Sequence, residues 1–191
     1  MSRKIYILAV TVLLSLGFTA CEKGEGEDDY GFAYLYMPQA TVSGGLNNNY
    51  PVPSGEGEYT YNFKVDPNGQ NLNIMLGVLR SGKLSNSAYT VDIISRADTT
   101  AQIVASGVIE NAVVMPESFY NIPEKVNVPG NKNGETFYMS VPLSGLKQAT
   151  YTGKKLVTTV AITNPSKYEL NTQKSSTVVI IDVDDILDII E

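Results

Sequence analysis

Four aspartates crowd the end of the sequence: Asp182, Asp184, Asp185 and Asp188. Two carboxylates held about 5 to 10 Å apart can hydrolyse a glycosidic bond. Several oxygen ligands can hold calcium. On an extended strand Asp182 and Asp184 would share one face about 7 Å apart. Their spacing does not match an EF-hand loop, which needs ligands at set positions around a central glycine. The bland reading is a solvated acidic strand end, and that is the one adopted here. No catalytic residue and no metal site are assigned, and no cofactor is expected. The chain has no histidine. That removes Ser-His-Asp and Cys-His catalysis, histidine metal sites and histidine pH switching. It has no tryptophan but 12 tyrosines. A tyrosine ring can stack on the apolar C–H face of a sugar. Tyr59, Tyr61 and Tyr89 alternate with polar residues and read as core. Tyr50, Tyr120, Tyr138 and Tyr151 lie in loops or on polar faces, so they are the candidate ligand platforms. A tyrosine in such positions is more often a packing lid than a ligand platform.

Charge excludes one partner class. The 191 residues carry 14 Lys and Arg against 20 Asp and Glu, a net charge of -6. Nucleic-acid binding needs a basic face against phosphates. No Gly-rich loop opens a helix after a strand, so nucleotide binding is unsupported.

Cys21 is the only cysteine. Arg3 and Lys4 precede an apolar run over 5–18, which is shorter than the about 20 residues a bilayer span requires. Thr19 and Ala20 then lead directly into Cys21. This arrangement looks like a bacterial lipobox. It predicts a signal peptide over 1–20, cleavage before Cys21, thioether linkage of diacylglycerol to its sulfur, and acylation of the new amino group, with palmitate as an expected acyl chain. An ordinary secretory signal with a coincidental cysteine is the alternative. An exported thiol without an intramolecular partner would be reactive, and lipidation removes it. Two or three acyl chains anchor stably where one does not. Removal of 1–20 takes two basic residues and no acid, which leaves a net charge of -8. Residues 21–29 (Cys-Glu-Lys-Gly-Glu-Gly-Glu-Asp-Asp) then form a solvated acidic tether. That run resembles the surface-export signal of Bacteroidetes lipoproteins. It implies an outer-membrane lipoprotein facing the cell surface, with a periplasm-facing one as the alternative.

The elements that must position any site lie in residues 30–191, read as a single domain. Period-two alternation places Tyr59, Tyr61, Phe63 and Val65 on one strand face. Leu72, Ile74, Leu76 and Val78 share another, as do Tyr89, Val91 and Ile93, and then Phe137, Met139, Val141 and Leu143. Residues 156–162 and 177–183 are nearly continuous apolar or β-branched runs that suit the middle of a sheet, and 32–37 is the expected first strand. Asp66-Pro67-Asn68-Gly69 reads as a tight turn between paired strands, and Pro129 to Gly134 as another. The one helix candidate covers 99–106, with Asp98 as its N-cap. About seven short strands separated by turns predict an all-β, two-sheet antiparallel sandwich of immunoglobulin-like type with at most one short helix.

Three stretches carry a family resemblance: Phe119-Tyr120-Asn121-Ile122-Pro123 running on to Val128-Pro129-Gly130, Phe137-Tyr138-Met139-Ser140-Val141-Pro142-Leu143, and Asn164-Pro165-Ser166-Lys167-Tyr168-Glu169-Leu170-Asn171 before the strand at 176–182. Their order resembles an uncharacterised N-terminal domain family of Bacteroidetes surface lipoproteins. The resemblance implies a β-sandwich that often precedes lectin-like, discoidin-like or glycoside-hydrolase modules in glycan utilisation. It implies no catalytic residue. No such module is expected after this domain. Pro123 and Pro142 belong at strand ends. Tyr168, in a turn before the last strand, is expected to donate its hydroxyl to a nearby carbonyl as in a tyrosine corner.

These readings converge on a non-catalytic accessory or adhesive module at the outer-membrane surface. Its expected partners are the membrane, through the lipid anchor, and a glycan or glycan-uptake complex. The alternative is a structural spacer or assembly subunit with no small-molecule ligand. The apolar run at 186–190 is expected to fold back onto its own sandwich, since each large aliphatic residue is worth roughly 1.5–3 kcal/mol when buried. Docking onto a partner is the other outcome.

Overall fold

The computed structural model describes residues 33–42, 48–54, 62–82 and 85–190. The signal peptide, Cys21, the tether, and Tyr59 and Tyr61 of the first alternating strand lie outside the described residues.

Among the described residues, eleven strands build two facing sheets. Sheet A contains β1 (Tyr34–Tyr36), β3 (Phe63–Val65), β4 (Asn71–Arg80), β8 (Gly134–Pro142) and β10 (Glu169–Leu170). Sheet B contains β2 (Asn49–Val52), β5 (Tyr89–Ser95), β6 (Ala112–Val114), β7 (Lys125–Val128), β9 (Lys155–Thr163) and β11 (Ser176–Asp182). The long strands β4 and β9 organise the sheets. β8 runs the length of one β4 edge, while β3 and β1 share the other. β11 lines one edge of β9, and β5 and β6 share the opposite one.

The alternating residues meet between the sheets. Leu72, Ile74, Leu76, Val78, Met139 and Val141 from sheet A pack on Val91, Leu156, Val160, Ile162, Val179 and Ile181 from sheet B, all fully buried. The two continuous runs, β9 and β11, pair with each other inside sheet B and are buried on both faces, as their composition requires.

Three features of the expected sandwich need correction. The sheets are mixed: β1 pairs with β10, β2 with β11 and β6 with β9 in parallel. Alternation marks a strand's faces but carries no information on its direction, and these pairs join remote parts of the chain. Helices are also more numerous among the described residues. They are α1 (Gln39–Val42), α2 (Ala97–Ala105), α3 (Leu143–Leu146) and α4 (Val183–Ile190). Each follows the end of a strand with at most two residues between, where strand-like composition is no guide. Finally, the 129–134 link joins β7 of sheet B to β8 of sheet A, so it crosses between layers instead of closing a hairpin. Gly134 is obligatory there, because a Cβ would overlap the Val78 carbonyl oxygen and the Leu79 side chain.

The β3–β4 turn forms as read. Gly69 takes a positive φ of 65° and donates its N–H to the Asp66 carbonyl at 2.9 Å. Helix α2 starts two residues earlier than expected, with Arg96 at the N-cap and Asp98 inside the first turn, where its charge favours the helix dipole.

Candidate functional site

The four candidate tyrosines separate into two kinds. Tyr50 points inward from β2, is 8% exposed, and donates its hydroxyl to the Met75 carbonyl oxygen at 3.0 Å. It fills a gap on the β4 edge between β3 and β1. In that gap the Met75 N–H donates to the Asn62 carbonyl, and the Gln39 amide serves the Gly77 N–H and the Met75 carbonyl. Burial pushes the Tyr50 phenol up to about 12, against the hydrogen bonds of Gln39 and Asn62. Tyr120 is half-buried on the core, with its hydroxyl accepting from Thr158 at 3.3 Å. Tyr151 is half-buried and meets Phe119 edge to face at 5.4 Å. Burial removes Tyr50 from the candidate platforms, and Tyr120 and Tyr151 rest partly on the core as packing lids do. A tyrosine in a turn or beside polar residues can still reach inward once its strand is placed.

Tyr138 stands apart. It lies on the outer face of β8 and is 37% exposed. The register β3–β4–β8 places Lys64 opposite Asn73, Asn73 opposite Ser140, and Met75 opposite Tyr138. Side chains of one parity on these strands pack into the core, so those of the other parity form a polar outer surface. The Lys64 Nζ lies 4.1 Å from the Tyr138 ring centroid, close enough for cation–π attraction. Lys64, Val65, Asp66, Pro67, Asn73 and Tyr138 line a shallow depression of about 370 Å³. A second of about 470 Å³ lies beside Asn71, Pro142, Ser144 and Lys147. Asn71 and Asn73 stand on the same face of β4 and connect the two.

Asp66 shapes this surface without being free to react with it. Its Oδ1 accepts the Gln70 N–H and its Oδ2 the Asn71 amide, both at 2.8 Å. The Gln70 N–H, then the Asn71 amide, hold its carboxyl below the usual range. Asn73 can both donate and accept, and the Lys64 ammonium offers three donors. A ring face beside such groups suits a polyhydroxylated ligand. Sequence reasoning placed Tyr138 here but missed Lys64, Asn71, Asn73 and Lys147. Lys64 and Tyr138 are far apart in the chain, and only the strand register brings them together.

The aspartate cluster is not a strand face. β11 ends at Asp182, and Asp184 belongs to α4. Asp182 pairs with Lys155 at 3.3 Å and accepts the Asp185 N–H at 3.4 Å. Asp184 accepts the Gly153 N–H at 3.0 and 3.1 Å. Among the described residues, no three metal-ligating side chains gather. The apolar end folds back as expected, as helix α4, with Val183 and Ile186 fully buried and Leu187 and Ile190 packed on the core. Tyr168 also serves the fold. It adopts a φ of 69°, meets Tyr89 edge to face at 5.5 Å, and bonds the Ser85 hydroxyl at 3.0 Å in place of the expected carbonyl.

No protein-family model and no curated protein matches the chain. Solved structures do resemble it. A candidate carbohydrate-binding protein from Bacteroides ovatus superposes with a TM-score of 0.51 at 9% identity, over 78% of this chain and 36% of its own. An auxiliary nutrient-binding protein from Bacteroides thetaiotaomicron gives 0.49 at 17% identity, over 73% and 44%. A Bacteroides ovatus multidomain protein that includes a domain of unknown function gives 0.49 at 16%, over 79% and 45%. The chain thus spans less than half the length of each of these structures. At this identity the first likeness speaks for the fold alone.

Proposed function

We propose that the protein is a non-catalytic glycan-binding module, held at the outer membrane by lipid on Cys21 and turned toward the cell surface. The observation that carries the reading is the exposed Tyr138 ring on a polar, amide-bearing sheet face with two adjoining depressions. The lipobox-like Cys21 and the acidic run after it support the anchor and its orientation. The fold-level likeness to a candidate carbohydrate-binding protein supports the ligand class.

Affinity gel electrophoresis of the full chain against a polysaccharide panel tests binding. Retardation by at least one polysaccharide, abolished by Tyr138→Ala, is the expected result. A structural spacer is the second reading, favoured by the three tyrosines that serve packing. Full mobility on every gel would establish that alternative. For the anchor, Cys21→Ser is expected to move the protein out of the membrane fraction. Palmitate labelling that persists in this variant would refute the lipidation.

A further inference from the structure

Lys64 and Asp66 line the same depression, two residues apart, yet they form no salt bridge. Asp66 holds the Gln70 N–H and the Asn71 amide with its two carboxylate oxygens. Lys64 extends instead over the Tyr138 ring. Among the described residues Lys64 makes no salt bridge, whereas Lys125, Lys132 and Lys155 each have a carboxylate partner. The ring quadrupole holds an ammonium in place without neutralising it. The result is a positive charge, fixed beside an exposed aromatic ring, with N–H donors left for a ligand. Lys147 lines the adjoining depression and has no salt bridge among the described residues either.

We infer that this face selects glycans bearing uronic acids, a step that rests on the glycan-binding reading above. A pyranose ring packed at Tyr138 would set its carboxylate against the Lys64 ammonium. Hydroxyls of the neighbouring sugar would meet Asn73 and Asn71, toward Lys147. A neutral sugar could use the ring and the amides but would leave the ammonium without an anionic partner. The wider molecule is acidic, with a net charge of -6, so an acidic chain is attracted only at a local patch of this kind.

The test compares one sugar backbone in two charge states. Isothermal titration of the full chain would use hexagalacturonate and its fully methyl-esterified form, with alginate hexamers and neutral mannan and xylan hexamers alongside. The expected result is about fivefold tighter binding of the acid than of the ester, the effect of one exposed ion pair. Lys64→Gln is expected to abolish that preference and Lys64→Arg to keep it, with unchanged thermal unfolding in both. Ester or neutral hexamers binding as tightly as the acids, or a preference that survives Lys64→Gln, would overturn uronate selection and leave the glycan reading intact. Failure of every hexamer and of every polysaccharide in the gel panel would overturn both.

Discussion

On the outer side of sheet B, Val157, Val178 and Ile180 are buried against Ile103, Val104 and Ile109 of α2 and the segment that follows it. On the outer side of sheet A, Lys64, Asn73 and Tyr138 border open depressions. The two sheets share a core, yet the central strands β9 and β11 of sheet B are covered on both faces, whereas β3, β4 and β8 border open depressions on their outer side. The cause lies in the outward positions. Aliphatic residues there must be covered, and the chain leaves β5 as a helix that lies across β9 to cover them. Amides, a lysine and a tyrosine can stay in water. A face that does not need covering is one a ligand can use.

Four substitutions would break or sharpen this contrast. Ile180→Ala opens a cavity beneath α2 and is expected to cost about 2–4 kcal/mol, read as a lower denaturant midpoint with an unchanged m-value. Thr100→Val attacks the same cover through its polar anchor. The Thr100 hydroxyl donates to the Arg96 carbonyl at 2.9 Å and accepts the Thr159 N–H at 2.9 Å. Its loss strands a buried N–H and is expected to cost about 1–3 kcal/mol. Hydrogen exchange at Thr159 should rise with it.

Between the faces, Tyr50→Phe leaves the Met75 carbonyl with only the longer 3.4 Å bond from Gln39 and is expected to cost about 1 kcal/mol. pH adds a signature. Burial pushes both Tyr50 and Tyr89 from 10.0 up to about 12. The unfolded chain therefore loses these protons first, and stability falls as pH rises from about 10 to about 12. Tyr50→Phe should shallow that fall, and a pH-independent midpoint across this window would contradict the assigned burial. The smallest stability effect belongs to the open face. Tyr138→Ala is expected to change stability by no more than about 1 kcal/mol while removing glycan retardation. A loss as large as that of Ile180→Ala would mean that Tyr138 is a packing residue like the other three.

Much of the fold was legible before any coordinates. The strand faces through Leu72 to Val78, Tyr89 to Ile93 and Phe137 to Val141 are buried as alternation predicts. The site was legible only in part. Tyr50 follows three asparagines and Tyr138 shares its strand face with Thr136 and Ser140, yet one bonds a carbonyl inside the sandwich and the other remains on the surface. Local pattern records a side chain's neighbours in the chain, whereas burial depends on which strand lies across from it.

The amino-acid sequence by itself determined the period-two faces, the turn at Asp66, the acidic balance, and the exclusion of histidine chemistry. These are properties of single residues or of spans short enough for local sterics and solvation to govern. Tertiary structure alone decided the parallel pairings, the conversion of Asp184 from a strand position to a helix, and the meeting of Lys64 with Tyr138. Each depends on the register between distant segments, which is set by burying the whole core at once and leaves no mark on either segment taken singly.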